Sequence, residues 1–510
     1  MSILRLIVSI SLLWLIAACQ NHSETPASFT DAHGYPILVR ERLRNVEPQY
    51  QQFYDSYNQF KETAIKTRRF ELADITPFIQ RLQAPFQVSK AGKSIEGRDI
   101  YRVRIGTGKT QVLLWSQMHG DESTATMALL DLFNFFSRSG DGFDEYRQKI
   151  LSELTLTFIP MLNPDGAERF QRRNAIGVDL NRDALRLQCP ESRILKQVRD
   201  ELKADWGFNL HDQGRYYVGD ERRVKIATFS FLAPAFNVQK DISEKRGDAM
   251  QLIGFMNNLV QAYLPGKVGR YDDTFEPRAF GDNIQKWGTR TILIECGLNE
   301  GDPEKQAIRR LHYMLLLAAF DAIADGSFEK TDLSVYHSIP FNENSGVFDL
   351  MVRGAQVQFS GKWYTMDMGF KRDDNWLING YAAKPSITEF GDLSVFAAYD
   401  EIQASGYRAV PGKIYPTTVQ NMTELKQLDL ASLLAQGYTE VRLREVPKMR
   451  KPLPINALSS GESADNTIRL GRNPNFVLQK DGETGFAVVN GLGYDLNKDQ
   501  ALIRQLVQDF

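Results

Sequence analysis

Cysteine is scarce, with three in 510 residues at positions 19, 189 and 296, too few for a disulfide framework to carry the fold. Charge of one sign is scarce as well: 61 Lys and Arg against 63 Asp and Glu give a formal charge of −2, and no long basic or acidic block interrupts the chain. That balance excludes the electrostatic footprint of a nucleic-acid-binding protein, so no nucleic acid is expected as a partner. No internal repeat is visible, and the apolar run 6–16 near the start is too short to span a bilayer comfortably. What is present is bulk: 43% hydrophobic residues over this length can build at least two cores.

Chemistry is concentrated in a dispersed set of four groups, His119 and Glu122 in MHGDE, His211 in NLHDQ and Glu295 in ILIEC. Two imidazoles and a carboxylate make a three-ligand zinc site with an open position, and a second carboxylate can serve as general base for water. His119 follows the apolar run 112–115 and precedes residues 124–136, which have helical periodicity, so His119 and Glu122 sit where a strand turns into a helix. Alone, HxxE is weak, because a surface His with a nearby Glu is more often a solvated pair. Further along, Asn163-Pro164-Asp165-Gly166 closes the strand-like stretch 154–162 as a turn. Arg172-Arg173-Asn174 and Gly177-Val178-Asp179-Leu180-Asn181-Arg182 follow. Asn181 and Arg182 read blandly as a second turn plus a surface charge, but beside a metal they are donors suited to a carboxylate.

In combination these residues resemble the zinc metallocarboxypeptidases of the carboxypeptidase A type. The resemblance covers about residues 94–317, opening with Ser94-Ile95-Glu96-Gly97-Arg98, continuing through HxxE, NPDG, RxN and GVDLNR, and closing on Thr291-Ile292-Leu293-Ile294-Glu295. It implies His119, Glu122 and His211 as ligands of one zinc ion per chain and Glu295 as the residue that activates the attacking water. It further implies Arg172 as the group that polarises the scissile carbonyl, and Asn181 and Arg182 as the grip on a substrate's terminal carboxylate.

Two of these positions have competing readings. A Glu in an apolar strand can simply face solvent, yet period-two alternation puts Leu293 and Glu295 on one face and Ile292, Ile294 and Cys296 on the other. If the strand is central, the acid needs a partner, which a zinc site supplies; Cys296 then reads as a small core residue. His211 alone would read as a hydrogen-bonded structural histidine, and only the family's order of motifs makes it a ligand. His22, His33, His312 and His337 have no such context and read as structural or incidental. The chain departs from the family in carrying Asp121 where its best-studied members have Arg before the metal-binding Glu. Their mobile Tyr upstream of the base also has no motif here; Tyr271 is the nearest candidate and stays unassigned.

The N-terminus supplies an address. Arg5, the apolar run and Ala17-Ala18-Cys19 resemble the lipobox of bacterial lipoproteins, whose Cys is lipidated; an ordinary signal peptide with a Cys nearby is the alternative. Gln20 stands where Asp would favour the inner membrane, so the expectation is an outer-membrane lipoprotein facing the periplasm, anchored through Cys19. Whether Cys189 and Cys296 pair is not readable from sequence.

The organisation expected is a signal peptide over 1–18, a tether and N-terminal segment over 19–69, a zinc carboxypeptidase-like domain over 70–341 and a β-rich accessory region over 342–510. From residue 347 short β-like stretches appear, with Asn379-Gly380 and Asn490-Gly491 as turn signals and the proline-bearing stretch 447–454 as a linker. The fold expected is α/β, a three-layer α/β/α domain with a mixed sheet, as the resemblance implies, plus the β-rich region. The function expected is zinc-dependent removal of a C-terminal residue from a peptide, with cell-wall peptides as candidate substrates. Alternatives are a zinc amidase or deacylase of the same fold, and a non-catalytic lipid-anchored peptide-binding module. Oligomeric state, side-chain preference and the accessory region's role are not legible.

Overall fold

In the computed structural model of the protein the described residues are 47–508, apart from 220–224, 300–301, 303, 345, 378–379 and 447–452. Cys19 and the rest of the N-terminal address lie outside them, as do Asn379 and most of the proline-bearing stretch.

Apolar runs without alternation are the mark of strands covered on both faces, and residues 154–159, buried throughout, form one. Strands β1 (Gln87–Lys93), β2 (Asp99–Ile105), β3 (Thr110–Trp115), β4 (Leu154–Ile159), β5 (Trp206–Asp212), β6 (Phe229–Leu232), β7 (Val268–Arg270) and β8 (Arg290–Cys296) build an eight-stranded sheet in the order β1-β2-β4-β3-β5-β8-β6-β7. Its centre, β4-β3-β5-β8, is parallel, while β1, β2 and β6 join antiparallel neighbours. The sheet is therefore mixed, as expected.

Helices cover both faces. Val112, Leu114, Phe208, Leu210, Ile292 and Ile294 share a core with the helices Thr124–Phe136, Glu244–Tyr263 and Gln306–Asp325. Leu113, Trp115 and Ile159 face the other way, onto the helices Pro190–Leu202 and Phe280–Lys286. The N-terminal helix Pro48–Asp55 and the residues after it add Tyr50, Phe53, Tyr54, Tyr57, Phe60 and Ile65 to the first core. There the fully buried Arg309 pairs with Asp131 and donates to the carbonyls of Ile65 and Glu62 at 2.7 and 3.0 Å. A buried guanidinium is tolerated only when its donors are met, so residues 62–65 complete the core rather than decorate it.

The C-terminal region is β-rich. Strands β9 (Val347–Phe359), β10 (Lys362–Leu377), β11 (Gly380–Gly391), β12 (Ala397–Gln403) and β13 (Arg408–Pro411) join β17 (Phe476–Lys480), β18 (Glu483–Val489) and β19 (Leu492–Asp495) in a second sheet. The short strands β14 (Lys413–Ile414), β15 (Tyr438–Leu443) and β16 (Asn456–Ser459) form a third, parallel sheet. Between β18 and β19 the turn Asn490-Gly491 has φ of 51° and 73°. Both residues are left-handed, as the tight hairpin connection requires.

Candidate metal centre and active site

Open α/β sheets place their crevice beyond the carboxyl ends of the parallel strands, and the candidate groups gather there. His119 lies in the loop after β3, His211 is the penultimate residue of β5, and Glu295 stands opposite His211 in the β5–β8 register. The loop carrying His119 is pressed onto the NPDG turn. A Cβ on Gly120 would come within 2.0 Å of the Gly166 carbonyl carbon, so only glycine fits. Asn163 caps its own turn by accepting from Gly166 N at 2.9 Å and donates to the Met118 carbonyl at 3.2 Å. Asp165, fully buried, accepts from Ser94 Oγ at 2.7 Å, Glu96 N at 3.0 Å and Arg98 Nη1 at 2.8 Å. The SIEGR and NPDG motifs thus brace one another and hold the ligand loop from behind.

His119, Glu122 and His211 converge with 1%, 8% and 2% exposure. His119 Nδ1 lies 2.7 Å from Glu122 Oε1, His211 Nδ1 lies 2.6 Å from Glu122 Oε2, and the two Nδ1 atoms are 3.2 Å apart. Atoms bound at about 2 Å to one zinc ion lie no more than about 4 Å from each other, and all three separations meet that condition. Two nitrogens and a carboxylate oxygen also match zinc in chemistry. The residues therefore fit the metal.

Asp179 orders this cluster. Its Oδ1 lies 3.0 Å from His119 Nε2 and accepts from Asn181 N at 3.0 Å, while its Oδ2 accepts from Arg172 Nε at 3.1 Å and Nη2 lies 3.0 Å away. A proton on His119 Nε2 directed at this carboxylate leaves Nδ1 with its lone pair toward the cluster. Arg172 in turn reaches the cluster's edge, with Nη1 3.0 Å from His119 Nδ1 and 3.2 Å from Glu122 Oε1, and its side chain remains 44% exposed. Burial alone would push the His119 imidazole down, but the charge of Glu122 and the hydrogen bond to Asp179 outweigh it and lift the group to about 9. Burial acts against Glu122 as well, yet the two imidazoles hold its carboxyl well below the usual range. His211 is pushed down, chiefly by burial.

Behind His211, Asp212 accepts from Thr124 Oγ1 at 2.6 Å and from Lys305 Nζ at 3.0 Å, and its own N–H donates to Glu122 Oε2 at 3.2 Å. Lys305, 2% exposed, also donates to the Cys296 carbonyl at 2.9 Å, joining the ends of β5 and β8.

Glu295 lies on the face opposite Ile292, Ile294 and Cys296, which join the helix-covered core, so the alternation read from sequence is realised. Its Oε2 is shielded from solvent and has no hydrogen-bond partner among the described residues. Burial, and after it the charge of Glu122, raises this carboxyl well above its ordinary value. Tyr271 is raised by burial and then by the charge of Glu295; its ring centroid is 5.6 Å from that of Tyr217. Asp121, one of whose oxygens is buried without a partner, is raised by burial and then by Glu122.

Asn181 and Arg182 lie on the turn Leu180–Arg182. Asn181 Oδ1 accepts from Phe280 N at 2.8 Å, so the carbonyl half of that amide is spent on the next helix. Arg182 is 3.6 Å from Glu276 and 40% exposed. Neither touches the three ligands. Among the described residues, Cys189 and Cys296 are free and buried, Cys189 against Asn174 on one side of the sheet and Cys296 against His312 on the other.

Comparison with known proteins narrows the chemistry. The family model described as zinc carboxypeptidase matches residues 77–203, the stretch that holds His119, Glu122, Arg172, Asn181 and Arg182. Over residues 77–203 the chain is thus similar to the zinc carboxypeptidases. Among curated relatives, Carboxypeptidase SOL1 of Arabidopsis thaliana is 30% identical over 152 residues, covering 26% of this chain and 30% of that protein. Probable carboxypeptidase 2 of Trichophyton verrucosum (strain HKI 0517) is 26% identical over 135 residues, 26% of this chain and 25% of that one. The chain thus spans about a quarter of the length of the curated relatives it matches. Among solved structures, a metallo-carboxypeptidase from Burkholderia cenocepacia aligns at 19% identity with a TM-score of 0.40, over 51% of this chain and 70% of that one. The zinc carboxypeptidase match ends before His211 and Glu295; His211 reaches the cluster through its contacts with Glu122 and His119, and the β5–β8 register sets Glu295 beside His211.

Sequence reasoning did not assign Asp179 or Lys305. Asp179 could have been found, as an acid inside the GVDLNR motif beside presumed donors; Lys305, in the polar stretch 300–306, carries no such signal.

Proposed function

We propose that the protein is a zinc-dependent carboxypeptidase that hydrolyses the C-terminal bond of peptides, one zinc per chain. The observation that carries this is the convergence of His119, Glu122 and His211, with Glu295 aligned beside His211 and Arg172 at the edge. Bound there, zinc would act as a Lewis acid toward the scissile carbonyl and lower the pKa of water. Glu295 takes the proton of the attacking water on Oε2, which is shielded and unpartnered. A divalent cation held by Glu122 would offset the negative charge that, after burial, raises Glu295, and so would favour its ionised form as a base. Arg172, oriented by Asp179, offers Nη1 to the oxygen that gains charge. Asn181 presents its amide N–H atoms and Arg182 its guanidinium to the terminal carboxylate, which displaces the half-buried Glu276 from Arg182.

Cell-wall peptides are the proposed substrates, and the outer-membrane, periplasm-facing address rests on Cys19 and its flanking residues. Hydrolysis of one peptide as free acid and as C-terminal amide tests the core of this reading. Strong preference for the acid is expected. Equal cleavage would move the assignment to an amidase, and no cleavage by zinc-loaded protein to a binding module.

A further inference from the structure

The seven residues after Asp212 lead from the metal centre into the β-rich region. Asp349 of β9, 6% exposed, is the anchor. Arg215 Nη2 lies 2.5 Å from its Oδ1, Tyr216 Oη donates to its Oδ2 at 2.8 Å, and Arg372 N donates to the same oxygen at 2.5 Å. Tyr399 Oη of β12 donates to the Arg215 carbonyl at 2.6 Å. Val218 packs with Ile226 against Val347 and Ala397 of the same sheet. This loop is therefore tied to the accessory sheet by a satisfied, buried carboxylate and an apolar contact, beginning four residues after a metal ligand.

Between those ties stands Tyr217, turned to the other side. Its ring meets Tyr271 at 5.6 Å and 55°. Tyr271 N donates to the Phe231 carbonyl at 3.1 Å, next to Ser230, the cross-strand partner of Glu295. The tyrosine pair is thus a wall beside the base, one half fixed by β6 and the other by the accessory region.

We propose that Asp349 is a positioning residue for the active-site cleft: through Arg215 and Tyr216 it sets the loop so that Tyr217 stands against Tyr271 and the two rings hold the bound peptide beside Glu295. The β-rich region is then part of the enzyme's substrate grip. This rests on the carboxypeptidase reading for its substrate, though not for its anchor.

The test uses the full zinc-loaded chain with Asp349→Ala, Tyr216→Phe and Tyr217→Ala, and a tripeptide with a free C-terminus as probe. Asp349→Ala should retain zinc, speed amide hydrogen exchange across residues 213–219, and raise KM roughly ten- to a hundredfold with a smaller change in kcat. Tyr217→Ala should raise KM alike, and the double variant should add little more, because both act through one ring. Tyr216→Phe, which removes a single hydroxyl and keeps the fold, should show the same effects in smaller degree. Unchanged exchange at 213–219 in both anchor variants would overturn the anchor, and faster exchange with unchanged KM would overturn the role in substrate binding. Should the unaltered protein cleave no peptide, the carboxypeptidase reading falls with the role in substrate binding, while exchange still decides the anchor.

Discussion

Asp179→Asn isolates the contribution of the group that orders the cluster. The amide keeps an oxygen for His119 Nε2 and Asn181 N, but it loses the charge and turns an NH2 toward Arg172, where Oδ2 now accepts from Nε and lies 3.0 Å from Nη2. Loss of such a partner costs about 10- to 100-fold in metal affinity, or roughly 1.4 to 2.7 kcal/mol. The effect should depend on pH, and the sign follows from His119. Without metal its pKa stands at about 9, above the ordinary 6.5, because Glu122 and Asp179 outweigh burial. That proton must leave before Nδ1 can bind, so zinc affinity should rise about tenfold per pH unit up to about pH 9 and then flatten. The same shift contributes stability to the metal-free protein that is fully present below pH 6.5 and lost as pH rises through about 9. Asp179→Asn lowers this pKa, so its plateau comes earlier, and the affinity loss should be full near pH 9.5 and narrower at pH 7. Competition with a chromophoric chelator across that range measures both curves. Equal affinities at every pH, or a deficit that does not change between pH 7 and 9.5, would refute the role given to Asp179.

Glu295→Gln should keep zinc and lose at least a hundredfold in kcat, since the amide cannot take the proton; metal lost together with activity would make it a ligand instead. Arg182→Met should slow cleavage of a free-acid peptide by roughly ten- to a hundredfold, the worth of one charge-assisted pair of about 1.5 to 3 kcal/mol, and leave the amide nearly unaffected. An equal effect on both would remove Arg182 from carboxylate binding. Lys305→Met should destabilise the protein by about 3 to 5 kcal/mol, because Asp212 is left buried beside Thr124 alone. A change below about 1 kcal/mol in denaturant unfolding would show that Asp212 finds another partner.

How much of this was legible depends on the distance over which a residue's meaning is set. His119 and Glu122 are three apart, and an apolar strand on one side and a helical pattern on the other fix their geometry locally. Glu295 was readable mainly through the order of motifs shared with the zinc carboxypeptidases; alternation in an apolar strand added only that an acid there needs a partner. Asn163 and Asp165 were legible as a turn but not as the brace for the ligand loop, since their partners lie 45 and 71 residues away in Met118 and Ser94. Asn181 was read only as a donor to substrate, yet its carbonyl caps a helix 99 residues on. Arg309 would pass for a surface residue of an amphipathic helix until Asp131, Glu62 and Ile65 close around it. Tyr216 and Asp349, 133 residues apart, gave no sign of each other.

The charges of the site also explain why its parts belong together. Glu122, Asp179, Asp212 and Glu295 gather around one cluster, and each of the first three has a cationic or imidazole partner in the chain: His119 and His211, Arg172, and Lys305. Among the described residues Glu295 has none, and its upward shift from burial and then from Glu122 reflects that imbalance. A carboxyl raised in this way gives up its proton less readily. The same carboxyl beside a divalent cation shared by His119, Glu122 and His211 loses its main repulsion and gains an attraction, so it can ionise. On the proposed reading, loading the cluster with metal and equipping the chain with a base would be one event. Glu295 should therefore titrate well below its metal-free position once zinc is bound.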